Sequence, residues 1–228
     1  MQNNDYNLFL SGGGDEHDST ALDSEFLKSF SGSKILYIPI AMPQQVITYE
    51  SCYDWISTNL TKLSDRFLEI DMCLEPADLS IDLLKKYDAV YIGGGNTYKL
   101  LQELYNGNFI GVLKEYIGNG GVYYGGSAGA IITGNNISTV IEENDNNYKY
   151  DEGLNFLSGH AVRCHYDDGQ DEKIYKFINL YNSPVIALPE KTGLHCFSGR
   201  CKVIGTDSAY IFNKNGKIEY SAGSTLNL

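Results

Sequence analysis

The chain has 228 residues, 43% of them hydrophobic, and a formal charge of −12. That apolar content can fill one substantial core and excludes collagen-like, low-complexity and disordered classes. The basic residues are scattered rather than clustered, which argues against nucleic acid or a polybasic membrane surface as partner, and no apolar run is long enough to span a bilayer.

The start "MQNNDYNLFLSGGG" has neither the basic opening nor the long apolar stretch of a secretory signal, so a cytoplasmic location is expected. Cys52, Cys73, Cys164, Cys196 and Cys201 are odd in number and show no C-x-x-C spacing. Buried or idle thiols are therefore expected, rather than a disulfide framework or a zinc site.

In chain order, apolar β-rich runs occur at 7–11, 34–40, 66–72, 89–95 and 121–125, separated by stretches of helical period. Cys52, Ile56, Leu60 and Leu63 repeat on one helix face around Trp55. "TYKLLQELY" and "FIGVLKEYI" read as two helices split at Asn106-Gly107-Asn108. Nearly continuous apolar strands alternating with helices predict a doubly wound α/β domain with a mostly parallel, flavodoxin-like sheet. The acidic run 141–153 reads as a solvated loop in preference to a flap over a site. Beyond residue 200, "SAYIFNKNGKIEY" with its Asn215-Gly216 turn predicts a β-hairpin extension of the same domain, so residues 1–228 are expected to form one unit.

In such sheets, sites form beyond the carboxyl ends of the strands. Gly125-Gly126-Ser127-Ala128-Gly129 follows the fifth run and matches G-x-S-x-G, the sharp strand-to-helix turn that presents a nucleophilic hydroxyl. A serine hydroxyl needs a base, a group to orient that base, and donors for the oxyanion. The N–H of Ala128 is one donor, and the loop "GGGNT" (93–97) is suited to supply another, with Asn96 or Thr97 capping the next helix. Among four histidines, His17 lies in a polar loop, while His160 and His165 fall on opposite faces of an extended segment, with His165 at its end. Glu190 emerges from a later strand end and can orient a histidine, in competition with Asp167 and Asp168, which read as helix caps.

"GGGNTYKLL", "GGSAGAIITG", "HYD" and "ALPE" together resemble the peptidase E (aspartyl dipeptidase) family of serine peptidases, related in fold to class I glutamine amidotransferases. The resemblance implies a Ser-His-Glu triad at Ser127, His165 and Glu190, with oxyanion donors at Gly94 or Gly95 beside Ala128. It implies a short peptide as substrate, cleaved after an N-terminal aspartate, with no cofactor and no metal. Arg163, which shares a face with His165 if the segment is a strand, would hold the aspartyl carboxylate, with Lys191 as a second cation. Asn96 joins Arg163 among the expected substrate contacts. A homodimer is compatible with all of this. Two positions depart from the family: Gly126 stands where the best-known aspartyl dipeptidases carry a bulky aromatic residue, and Ile131 where a polar one is expected.

Other readings are a cyanophycinase-like β-aspartyl peptidase, a small esterase using Ser127, Asp167 or Asp168, and His195, and a catalytically idle ligand-binding member of the fold. Glutamine amidotransfer is disfavoured because the elbow carries serine, a poorer nucleophile than a thiolate. A nucleotide site is disfavoured because "SGGGDE" and "GGGNT" lack a Walker lysine.

Overall fold

The alternation of apolar strands and amphipathic stretches is realised in a computed structural model that describes residues 6–43, 47–140, 142, 144 and 146–228. The first half comprises β1 (Asn7–Ser11), α1 (Glu16–Lys28), β2 (Lys34–Ile38), α2 (Tyr49–Leu63), β3 (Glu69–Met72), α3 (Ile81–Leu84), β4 (Ala89–Ile92), α4 (Thr97–Asn106) and α5 (Phe109–Gly118). The second comprises β5 (Val122–Gly126), α6 (Ala128–Ile131), β6 (Ala161–Arg163), α7 (Asp171–Tyr181), β7 (Val185–Ala187), β8 (Thr192–Phe197), β9 (Arg200–Gly205), β10 (Ala209–Asn213), β11 (Gly216–Tyr220) and β12 (Thr225–Asn227).

Local chemistry sets the helix starts. Asp15 closes a capping box with Asp18 at α1, the Thr48 hydroxyl accepts from Ser51 N at α2, and Asn96 Oδ1 accepts from Lys99 N at α4. α4 and α5 break where expected, because Asn108 takes a left-handed φ of 53°.

The main sheet has the order β12-β9-β8-β1-β5-β4-β2-β3. Its five strands from β1 to β3 are parallel, which makes the fold the mixed α/β, mostly parallel architecture predicted. β8, β9 and β12 continue the sheet antiparallel from β1. Tyr37, Tyr91, Tyr124, Phe9 and His195 hold matching register positions on β2, β4, β5, β1 and β8, forming a row of rings across one face. Tyr91 stacks on Tyr124 at 4.2 Å and Phe9 on His195 at 4.1 Å, while Tyr37 meets Tyr91 edge-on at 5.6 Å. Leu22 and Phe26 of α1 and Cys52, Ile56 and Leu60 of α2 close over this row. On the opposite face, Leu100, Leu101 and Leu104 of α4 and Leu113 and Ile117 of α5 cover Leu8, Val90 and Tyr123.

β8 pairs with the edge of β1 away from β5, β6 and β7 pair with each other, and the predicted hairpin β10–β11 joins β7 in a second, four-stranded sheet. One expectation changes. Cys196 and Cys201 face each other across the β8–β9 hairpin and form a disulfide, leaving Cys52, Cys73 and Cys164 as the thiols. A tight antiparallel turn creates that pairing, and cysteine spacing alone does not encode it.

Candidate active site

Ser127 sits between β5 and α6 with φ 42° and ψ −97°, a strained conformation for a residue with a side chain. Close packing forces the turn. A Cβ on Gly125 would lie 2.5 Å from the Gly129 backbone, and one on Gly129 would lie 2.4 Å from the Ile92 carbonyl oxygen. Both glycines of the elbow are therefore required by backbone approach.

His165 also has a positive φ, 51°, two residues past the end of β6. Its N–H donates to Gly12 O at 2.8 Å and its carbonyl accepts from Gln170 Nε2 at 2.9 Å, fixing the backbone that aims the ring. The ring bridges two partners: Nε2 lies 2.8 Å from Ser127 Oγ, and Nδ1 lies 2.9 Å from Glu190 Oε1. The Glu190 side chain is half-exposed. With Nδ1–H donating to the carboxylate, Nε2 is left as the acceptor for the serine proton.

Gly94 lies against the elbow, where a Cβ on it would stand 3.4 Å from Ser127 Cβ. Gly93 N donates to Ile38 O and Asn96 N to Ala41 O. The N–H groups of Gly94, Gly95 and Ala128 have no backbone acceptor among the described residues. They are available to a negative charge developing above Ser127.

These groups open onto a cavity of about 630 Å³ between the sheet and the start of α1 and α2. Tyr37, Met42, Trp55, Tyr91, Tyr124 and Ile131 give it largely apolar walls. Among the described residues, the carboxylates that line it are Asp15 and Glu142. Glu142 Oε1 accepts from the Thr97 N–H at the head of α4 at 2.8 Å. The run 141–153, read as solvated loop, thus contributes to the site at Glu142, while residues 141, 143 and 145 lie outside the described residues. No periodic signal in that run could have singled Glu142 out.

Several expected site residues are elsewhere. Arg163 ends β6 and is buried; its Nε donates to Gln170 Oε1 at 2.8 Å and its Nη1 to Thr139 O. It does not line the cavity, because the strand alternation stops before His165 turns left-handed. Burial pulls its guanidinium pKa below the ordinary value. Lys191 is exposed and also off the cavity wall. Asn96 is occupied as the α4 cap and does not line the cavity. Asp167 caps the turn at Gly169, and Asp168 binds Tyr166 and Lys217. His195 is stacked on Phe9 with Nε2 2.9 Å from Asn7 Oδ1, so the esterase arrangement has no histidine to use. Cys164 lines the cavity, but its thiol faces Ser11 O and Ser127 O, and burial pushes its pKa far up, away from thiolate chemistry.

The sequence profile of peptidase family S51 matches residues 8–204. Peptidase E of Pasteurella multocida (strain Pm70) is 27% identical over 203 residues, covering 84% of this chain and 83% of that protein. Peptidase E of Haemophilus influenzae (strain ATCC 51907 / DSM 11121 / KW20 / Rd) is 29% identical over 199 residues, 82% of this chain and 87% of that protein. The crystal structure of a peptidase from an acI-B1 Actinobacterium superposes with a TM-score of 0.68 at 18% identity, over 98% of this chain and 97% of that one, and shares the fold.

Proposed function

Because the chain belongs to peptidase family S51 and is a serine-type peptidase, we propose that Ser127, His165 and Glu190 are its catalytic triad and that it hydrolyses short peptides bearing a free amino terminus. One observation carries the reading: the hydrogen-bonded chain from Ser127 Oγ through His165 to Glu190, 2.8 Å and 2.9 Å, built on a serine at φ 42°.

In that mechanism His165 Nε2 takes the Oγ proton as Oγ attacks the scissile carbonyl carbon. Glu190 holds the imidazolium. The N–H groups of Ala128 and Gly94, with Gly95 beside them, receive the oxyanion. His165 then returns the proton to the leaving amine, and water repeats the cycle on the acyl-enzyme. The half-exposed Glu190 orients the ring in a wetter environment than a buried triad acid would have, so its contribution is smaller than that of the serine or the histidine.

Asp15 and Glu142, with no lysine or arginine lining the cavity among the described residues, favour a substrate that brings a positive charge of its own, as an α-ammonium does. The preference for N-terminal aspartate rests on the resemblance alone. Its expected cation, Arg163, is held in the protein interior.

The test joins a label to an assay. A fluorophosphonate should modify Ser127, located by mass spectrometry, and Ser127→Ala should lower kcat on short peptides by ~10⁴ to 10⁶ with an unchanged melting curve. Turnover by Ser127→Ala equal to the parent refutes the serine mechanism; an unlabelled Ser127 without peptide hydrolysis leaves the idle ligand-binding reading. Asp-Leu, Asn-Leu and β-aspartyl-arginine in the same panel separate the aspartyl and β-aspartyl alternatives.

A further inference from the structure

Resting on the peptidase reading above, we propose that the side-chain subsite beside Ser127 takes a large aromatic or apolar N-terminal residue, and that Gly126 sets its width. Gly126 is the only glycine of the elbow segment 125–129, apart from the nucleophile's own strained turn, that the protein's packing does not demand. A Cβ built on it would meet Gly94 N and Tyr91 Oη at 3.6 Å and Ile92 O at 3.8 Å, all ordinary van der Waals distances, and its φ is not in the left-handed region. The absent side chain therefore leaves space that opens into the cavity next to the reacting carbonyl.

That space is floored by the tyrosine row. Tyr37, Tyr91 and Tyr124 stand in register on three adjacent strands, packed ring to ring, and all three line the cavity. Trp55 of α2, 38% exposed, stands at its rim with Nε1 donating to Glu16 Oε2 at 3.3 Å. Ile131, where a polar residue was expected, adds an aliphatic wall one turn past the nucleophile. An aromatic or branched aliphatic side chain entering here exchanges water for ring and methyl contacts. A carboxylate entering here finds no lysine or arginine among the described lining residues and two carboxylates instead, so its desolvation is uncompensated.

The experiment measures kcat/KM for Phe-Leu, Ala-Leu and Asp-Leu with the full chain, and then for Gly126→Ala and Trp55→Ala. Phe-Leu should exceed Asp-Leu by about 10- to 100-fold. Gly126→Ala narrows the subsite and should lower the Phe-Leu to Ala-Leu ratio by about tenfold. Trp55→Ala removes rim contact without touching the buried floor and should lower the same ratio severalfold. Dissociation constants of the three dipeptides with Ser127→Ala, by calorimetry, provide a readout independent of turnover. Asp-Leu cleaved as well as Phe-Leu, or a ratio indifferent to both substitutions, overturns the subsite while leaving the peptidase reading standing. If no dipeptide is cleaved but Phe-Leu binds tenfold more tightly than Asp-Leu, the subsite holds and the peptidase reading fails; equal affinities overturn both.

Discussion

Gly13 offers the sharpest probe of the proposed base. It lies at φ 112°, a region open to glycine, and a Cβ there would stand 2.1 Å from His165 Cε1 and 2.6 Å from each ring nitrogen. Carbon–carbon contact needs about 3.5 Å, so in Gly13→Ala the imidazole must retreat by more than about 1 Å. The hydrogen bonds of 2.8 Å to Ser127 and 2.9 Å to Glu190 cannot stretch that far and survive. A misplacement of about 1 Å costs on the order of 10² in rate, and complete loss of the base costs ~10⁴ to 10⁶. We expect kcat/KM to fall by ~10² to 10⁴, with the loss in kcat and little change in KM, since Gly13 touches the base rather than the tyrosine floor. The strained backbone should add ~1–3 kcal/mol of destabilisation, lowering Tm by roughly 2–12 °C in a chain of this size. Stopped assays on a short peptide, a thermal melt and the rate of fluorophosphonate labelling of Ser127 report the three effects separately. Labelling should slow with kcat, because it needs the base but no leaving amine. A folded Gly13→Ala enzyme within threefold of the parent would refute the placement of His165 as base.

Glu190→Gln should lower kcat by ~10 to 10², less than His165→Ala, because the half-exposed carboxylate holds the imidazolium in partly solvated surroundings; His195→Ala should change kcat less than twofold, and the reverse order in steady-state kinetics would revive the esterase arrangement. Arg163→Ala leaves Thr139 O and Gln170 without their donor and should cost ~2–4 kcal/mol in denaturant unfolding while leaving KM for Asp-Leu unchanged; a selective rise in that KM would return Arg163 to the substrate. Asp23 of α1 is buried with Oδ2 accepting from Ser19 Oγ at 2.7 Å, and loss of hydration pushes its carboxyl from 3.8 up to about 6. Because the folded state holds that proton more tightly, its stabilising effect is complete below pH 4 and lost as pH rises through 6, a change of about 3 kcal/mol. Urea unfolding of Asp23→Asn at pH 4 and pH 8 should show the variant gaining on the parent at pH 8; a difference that does not vary with pH would contradict the assignment.

The sequence by itself determined whatever depends on neighbours along the chain. Runs such as "KILYIPI" and "AVYIGGG" are apolar on both faces because parallel strands are covered twice, and caps such as Asn96 act within one helical turn. The elbow was legible because its signature is short: Gly125 must clear the Gly129 backbone within a five-residue turn that holds Ser127 at a positive φ, although Gly129 itself answers to the Ile92 carbonyl of β4. Strand ends placed His165 and Glu190 beside it in expectation, and the fold brings the three within hydrogen-bond distance. What only the tertiary structure decided depends on which strands pair. A two-residue alternation predicted Arg163 and His165 on one face, but the Gly12 carbonyl captures the His165 N–H where the strand has already ended, and Arg163 turns inward to Thr139 and Gln170. The register of β1, β5, β4 and β2 lines up three tyrosines as a cavity floor, although they lie far apart in the chain. The β8–β9 hairpin sets Cys196 against Cys201, and long-range folding brings Glu142 onto the head of α4. The proposed nucleophile is thus marked by a short glycine-flanked turn that is recognisable along the chain. The chemistry of the pocket it faces is written in strand register, which exists only once distant segments have paired.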